Sequence, residues 1–264
     1  MKLKIGIIGL GVGQKHVEAF DSHPFCKVSA VSDFSEKKRK YFSVTYPDIK
    51  TVINADEILR DPNIDIVSIA SYDNYHYEQI IKAISSNKHI FIEKPLCLFE
   101  KEAKEIRSLL NKHPHIKMSS NLTLRTCPRF IRIKDAIHNG EMGSLFYLEG
   151  DYLWGRLSKI TDGWRKDMEF YSIIYGAAIH MIDLILWITG KRPVEVLAYG
   201  NNIATENSEL KSNSFAVLLL KYENGMIAKV TGNGGCVHPH FHRLVIYGTK
   251  KTAIHDIASA MWLE

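Results

Sequence analysis

Through the first half of the chain, short apolar runs alternate with longer stretches of helical periodicity. Lys2–Ile8 reads as a buried strand and Gln14–Ser22 as a helix. Lys27–Ser32 predicts a second strand ending at Asp33, and Ser35 is placed to cap a helix running to about Tyr46. Asp56–Arg60 predicts a short helix, closed by Asp61-Pro62. Ile64–Ala70 is another strand, Tyr75–Ser86 a helix and His89–Ile92 a strand. Lys101–Lys112 is a charged amphipathic helix stopped by His113-Pro114, and Ile116–Ser120 closes the series. Strands that are apolar along their whole length, separated by helices, mean a parallel sheet covered on both faces. The fold class is therefore α/β at this end, with a doubly wound sheet.

The pattern then changes. Pro128–His138 predicts a helix halted by Asn139-Gly140, and Leu145–Leu153 alternates as a strand. Ala177–Thr189 is a strongly apolar helix with Gly190 just beyond it. Strands follow near Val194–Gly200, Ser214–Tyr222, Met226–Thr231 and Arg243–Tyr247, with Glu223-Asn224-Gly225 as a hairpin turn. Successive hairpin strands beside helices predict an α+β domain on a large, mostly antiparallel sheet. The boundary falls near residues 120–126, giving domains 1–121 and 122–264.

Composition narrows the class without naming a chemistry. The chain has 264 residues, 45% hydrophobic and 24% charged, with a formal charge of +5. That is ordinary globular composition, long enough for two modest domains. The positive excess is spread out except at Lys37-Lys38-Arg39-Lys40, which reads as the wet face of a helix rather than a nucleic-acid patch. No apolar stretch is long enough to span a bilayer. Met1-Lys2-Leu3-Lys4 imitates the start of a signal peptide, but the apolar run breaks at Gly9 with no small-residue cleavage site. The cysteines are Cys26, Cys97, Cys127 and Cys236, with no Cys-x-x-Cys pair. The expected compartment is a reducing cytoplasm.

Several segments carry candidate chemistry. Gly9-Leu10-Gly11-Val12-Gly13 follows the first strand and nearly matches the G-x-G-x-x-G seat for a dinucleotide diphosphate, its third glycine arriving one position early. Asp33, 22 residues after Gly11, ends the second strand, where a carboxylate can accept ribose hydroxyls. It favours NAD over NADP, a preference that the nearby lysines weaken. Glu93-Lys94-Pro95 follows a later strand of the same sheet and offers an ammonium that can stabilise a developing oxyanion. His180 and Asp183 share a face of the apolar helix, and a histidine there suits general base work or a capped core position. Trp164-Arg165 offers an aromatic beside a guanidinium, suited to a sugar, a carboxylate or an interface contact. His238-Pro239-His240-Phe241-His242 places three imidazoles on one side of an extended segment; with no cysteine or carboxylate beside them, a pocket rim is expected and no metal.

Taken together, these segments resemble the Gfo/Idh/MocA oxidoreductases, over essentially the whole chain. The resemblance is carried by Ile7-Ile8-Gly9-Leu10-Gly11 with His16, and by Ile69-Ala70-Ser71 with His76. It is carried further by Glu93-Lys94-Pro95, Asn121 and Arg125, by Ile179-His180-Met181-Ile182-Asp183-Leu184 with Trp187 and Gly190, and by Ile246-Tyr247-Gly248-Thr249. It implies a Rossmann domain, an α+β domain whose sheet joins subunits into a dimer or tetramer, and NAD, or alternatively NADP, as cofactor. The implied cofactor contacts are Gly9, Gly11, Val12, Gly13, Asp33, Ser71, Tyr72, His76, Glu93, Lys94 and Asn121. The implied catalytic pair is Lys94 and His180, and Trp164, Arg165, Tyr175 and His180 would meet a sugar, polyol or nucleotide-sugar substrate together with Lys94. Pro95 matches a proline often preceded by a cis peptide. Two departures stand out. Where many members carry Asp four residues before the histidine, this chain has Gly176, so either His180 works with Lys94 alone, or Tyr175 or Tyr171 contributes, or the chemistry is absent. The chain also stops short of the family's usual end, and Leu263-Glu264 reads as a cloning remnant or a truncation. The competing reading is a nucleotide- or sugar-binding sensor without catalysis; a methyltransferase-like Rossmann protein fits the second half poorly.

Overall fold

A computed structural model describes residues 2–257 and 260–263, the last four as backbone. The chain divides into two compact units, Met1–Asn121 and Leu122–Glu264. In the first, the strands are β1 (Leu3–Ile8), β2 (Cys26–Ser32), β3 (Lys50–Val52), β4 (Ile66–Ile69), β5 (His89–Ile92) and β6 (Met118–Ser120). Between them run α1 (Gly13–Asp21), α2 (Glu36–Thr45), α3 (Ala55–Leu59), α4 (His76–Ser85) and α5 (Glu100–Lys112). All pairings are parallel, in the order β3-β2-β1-β4-β5-β6, so the chain direction of winding reverses between β1 and β4.

The reasons are local. Ile5, Ile7, Val67, Ile69 and Ile92 have no exposed surface, as central strands between two helical layers require. Ser35 caps α2 by accepting from the Lys38 amide. Asn54 does the same for α3 through Asp56. The edge strand β3 has no counterpart in the hydrophobic pattern: Lys50-Thr51-Val52 is short and largely polar, and pairs only with β2.

The second unit contains α6 (Pro128–His138), β7 (Leu145–Leu153), α7 (Ser158–Thr161), α8 (Ile179–Thr189), β8 (Glu195–Asn201), β9 (Phe215–Lys221), β10 (Ile227–Asn233), β11 (Phe241–Gly248), β12 (Thr252–His255) and β13 (Ala260–Leu263). Its seven-stranded sheet has the order β13-β12-β11-β7-β10-β9-β8 and is antiparallel except where β10 runs parallel to β7. The last two strands lie beyond the pattern legible in the sequence. Leu263 belongs to β13, and Glu264 lies outside the described residues.

Helix α8 lies on this sheet over two glycines. A Cβ on Gly150 of β7 would come within 3.1 Å of Ile185 and 3.2 Å of Met181. One on Gly232 of β10 would come within 3.1 Å of Ala178 and of the Ile173 carbonyl. The helix therefore rests almost on the strand backbones, with Met181, Leu184, Ile185 and Ile188 wholly buried beneath it. It does not begin as the sequence suggested. Ile174–Ala178 forms a π-helical turn, a form frequent at functional sites, and regular α-helix starts at Ile179. Gly190 ends it in the left-handed conformation, φ 66°.

A side chain at Gly232 should lift the π turn from the sheet. Gly232→Val is expected to lower unfolding free energy by about 1–3 kcal/mol, the usual cost of overpacking, and Gly232→Ala by less. Urea unfolding of both variants checks this, and equal stability would mean the turn is not seated as described.

Candidate active-site residues

The carboxyl edge of the parallel sheet gathers most of the predicted cofactor residues of the first unit. Gly9 ends β1 at φ +91°, donates its amide to Ser32 and packs on the end of β4, where a Cβ would strike the Ala70 carbonyl. Gly11 is different: nothing lies within 4 Å of where its Cβ would be. Val12, beside it, is exposed. Helix α1 starts here with no side-chain cap and no acidic residue in its first turn. Free amides and an uncompensated dipole at a helix start attract phosphate, so this open seat fits a diphosphate. A Cβ on Gly13 would lie 3.2 Å from Ile7 and 3.4 Å from Ala70, so α1 runs close to the sheet.

Asp33 is held by the glycine loop and the start of α2. Its Oδ2 accepts from the Leu10 amide at 2.7 Å and from Lys38 Nζ at 3.2 Å, while Oδ1 accepts from the Ser35 amide at 2.8 Å. The side chain is 3% exposed. A carboxylate has about four acceptor positions, so the acid mainly braces the glycine loop. His76 departs from the expectation. Its ring is fully buried, with Nδ1 at 2.7 Å from the Pro95 carbonyl and Nε2 at 3.2 Å from the Ser71 carbonyl. It is a strut between the loops after β4 and β5, not a group open to a cofactor. Ser71 donates to Gln79, and Tyr72 meets exposed Phe34 edge to face at 5.5 Å. No motif marked Phe34.

Glu93 is the centre of this edge. Its Oε1 lies 3.0 Å from His16 Nε2 and accepts from Asn121 Nδ2 at 2.6 Å, and His16 Nδ1 lies 2.8 Å from Ser68 Oγ. Burial pushes the Glu93 carboxyl up, but the bonds from His16 and Asn121 and the charge of Lys94 outweigh it and hold it below the usual range. Lys94 follows directly, its amide 3.3 Å from Glu93 Oε2, and the Lys94–Pro95 peptide is cis. His16 sits one turn into α1, and its link to Glu93 across 77 residues could be found only by pairing elements in space.

In the second unit, the hub is Tyr152 of β7, which the sequence reading did not single out. His180 stacks on it at 5.6 Å and 10°, and Trp154, His240 and His242 meet it edge to face at 6.0, 5.1 and 4.9 Å. His180 also meets His242 at 5.8 Å. The three imidazoles of 238–242 are not on one side: His238 Nδ1 turns to the Pro239 carbonyl, while His240 and His242 converge on Tyr152. Among the described residues, no group of three or more His, Cys, Asp or Glu is disposed to hold a metal. Burial pushes the Tyr152 phenol up to about 12, against the pull of Arg156 and Arg165. Burial also lowers His242 to about 4, helped by His240, His255 and Arg156.

Arg165 lies over two indoles, 4.4 Å from the Trp164 ring centroid and 5.4 Å from that of Trp154. Tyr175 packs on Phe170. Asp183, the helix neighbour of His180, gives both oxygens to the fork of Arg125, at 2.8 and 2.5 Å. At Gly176 the space of a side chain is already filled. A Cβ there would overlap the Tyr171 hydroxyl and lie 3.0 and 3.1 Å from its ring carbons.

The profile described as an oxidoreductase family with an NAD-binding Rossmann fold matches residues 3–120, and that of the GFO/IDH/MocA C-terminal domain matches residues 130–262. The chain belongs to the GFO/IDH/MocA oxidoreductase family. This member is 29% identical over 262 residues to YrbE of Bacillus subtilis, described as an uncharacterized oxidoreductase, covering 95% of this chain and 73% of that one. It is 25% identical over 268 residues to a myo-inositol 2-dehydrogenase of Thermotoga maritima, covering 96% and 75%. Its fold matches that of a myo-inositol 2-dehydrogenase from Lactobacillus plantarum with a TM-score of 0.89 at 23% identity, covering 99% of this chain and 82% of the other. A levoglucosan dehydrogenase solved with NADH and levoglucosan matches with a TM-score of 0.89 at 20% identity, covering 99% and 76%.

A neutral His242 links folding to pH. The unfolded imidazole takes its proton near 6.5 and the folded one near 4, so between these values the unfolded chain binds more protons and stability rises with pH. Urea unfolding should show up to about 3 kcal/mol lost from this group as pH falls from 6.5 to 4, and His242→Phe should flatten that limb. An unchanged slope in the variant would rule out His242 as its source.

Proposed function

We propose that this chain is an NAD(P)-dependent dehydrogenase or reductase that moves a hydride between a nicotinamide and a secondary alcohol or ketone of a sugar, polyol or nucleotide sugar. The observation that carries the reading is the open diphosphate seat at Gly11 on the same sheet edge as Lys94, in a family whose first domain is an NAD-binding Rossmann fold. Inositol and levoglucosan dehydrogenases among the relatives and structural neighbours support the substrate class. Gly9, Gly11, Val12 and Gly13 would hold the diphosphate. Asp33, through the loop it braces, and Ser71 and Tyr72 would border the adenosine side, while Asn121 and Glu93 would orient Lys94.

Bound nicotinamide supplies the two-electron acceptor or donor. The protein's part is to hold the alcohol and manage its proton. His180 takes the hydroxyl proton, and the Lys94 ammonium hydrogen-bonds the same oxygen and stabilises its growing negative charge. Ketone reduction uses the same groups in reverse. Trp164, Arg165 and Tyr175 would border the rest of the substrate. Gly176 removes the carboxylate that many members place before the histidine, and Tyr171 fills its space. We assign Tyr171 the positioning role, in preference to Tyr175, which packs on Phe170.

The same sheet suggests an assembly. Strands β8 and β9 leave Val196, Leu197, Tyr199 and Leu219 exposed, and a dimer or tetramer would cover them. No described helix is long and apolar enough to cross a membrane, and the four cysteines are free, which suits a cytoplasmic enzyme. A second reading, a sensor that binds nucleotide or sugar without turnover, is favoured by Gly176 alone.

Lys94→Met should lower turnover about 10³-fold, within the range for a lost acid–base group, and leave NADH affinity within twofold. Tyr171→Phe should lower kcat more than KM and move the acidic limb of the rate profile, whereas Tyr175→Phe should not. Steady-state kinetics across a panel of sugars, polyols, sugar acids and sugar phosphates, with parallel NADH fluorescence, reads these. Tight NADH binding with no turnover on any member of the panel would favour the sensor.

A further inference from the structure

Around Tyr152 positive charge collects without a counter-ion. Arg156 and Arg165 both act on the Tyr152 phenol, and Arg156 also disfavours charge on His240 and His242. Among the described residues, neither guanidinium forms an ion pair. Two carboxylates near this stretch are engaged elsewhere: Asp162 takes the Thr161 hydroxyl and Glu209 takes Lys166. Arg165 is also held rather than free. It lies over the Trp154 and Trp164 rings, and its Nη1 reaches the Lys159 carbonyl at 3.3 Å. Its Nε–H is buried with no hydrogen-bond partner. Buried orphan donors of this kind are rare in folded proteins.

These groups share one neighbourhood. Trp154 under Arg165 meets Tyr152, and Tyr152 carries His180 on its face and His240 on its edge. An indole-stacked guanidinium is a rigid, weakly hydrated fork that matches two oxygens of a carboxylate or phosphate. We infer that the substrate carries an anionic group, a carboxylate or a phosphate ester, received by Arg165 and Arg156 with His240 beside them, while His180 serves its carbinol. This rests on His180 being the proton acceptor proposed above, and it narrows the substrate from neutral polyols to sugar acids or sugar phosphates. The Trp164 and Trp154 rings, over which Arg165 lies, would report the substrate's arrival.

The test is intrinsic tryptophan fluorescence of the full chain, titrated with D-glucuronate, D-glucose 6-phosphate, D-glucose and inorganic phosphate at constant ionic strength. One of the two anionic sugars is expected to bind at least tenfold more tightly than glucose and than inorganic phosphate, and which one does so separates carboxylate from phosphate. Arg165→Gln and Arg156→Gln should each remove at least tenfold of that preference, read as the ratio of anionic-sugar to glucose affinity. Arg156 is exposed, so its variant tests the claim even if Arg165→Gln fails to fold. Arg165→Lys should recover the charge but only part of the affinity. Equal binding of anionic and neutral sugars, binding of inorganic phosphate as tight as the sugar phosphate, or affinities unmoved by both Gln variants would overturn the inference. NADH titration of the same samples separates this from failure of the dehydrogenase reading: loss of NADH binding refutes that reading whatever the anions do.

Discussion

The buried carboxylate of Glu93 is the constraint on which the nucleotide edge depends. It joins His16 of α1 and Asn121 after β6, and through His16 it reaches Ser68 of β4. One acid thus fixes the ends of three strands and the first helix around the residue that precedes Lys94. Unpaired at this depth, it would cost several kcal/mol. Its two side-chain partners offset that penalty and keep the acid ionised.

The second unit solves a different problem by different means. His180 has glycine, not a carboxylate, four residues before it. The chain holds it with aromatic surface instead: Tyr152 lies flat against the imidazole, His242 sits at its edge, and Tyr171 fills the place left by Gly176. The sheet brings this about by carrying glycines at positions 150 and 232, which lets the π turn and α8 settle onto the strands. Packing here sets the position of the functional group directly.

Much of the fold was legible because it follows from one-dimensional periodicity. The buried strands of the parallel sheet showed as unbroken apolar runs, and α6 and β7 fall on the predicted residues. Element ends were legible where a residue has one conformational use, as at Ser35 and Gly190. What escaped depends on distant partners. β3 is too short and polar to carry a pattern, and the π turn arises from packing on Gly232. The carboxylate of Asp33 accepts from Leu10 and Lys38, contacts that no local pattern shows. His76 seemed a cofactor contact until two carbonyls closed on it. Tyr152 carries no motif at all, and its importance comes from rings that α8 and the start of β11 bring to it.

The central claim, that a nicotinamide nucleotide seats its diphosphate at the start of α1, can be tested at one position. Gly11 has no neighbour within 4 Å of a would-be Cβ, so Gly11→Val asks nothing of the protein's own packing. Calorimetric titration with NADH should give one site in the wild type and at least a hundredfold weaker binding in the variant, with melting temperatures matching within a degree or two. Wild-type protein that takes up no nucleotide, or a variant that binds as tightly as the parent, would contradict the account.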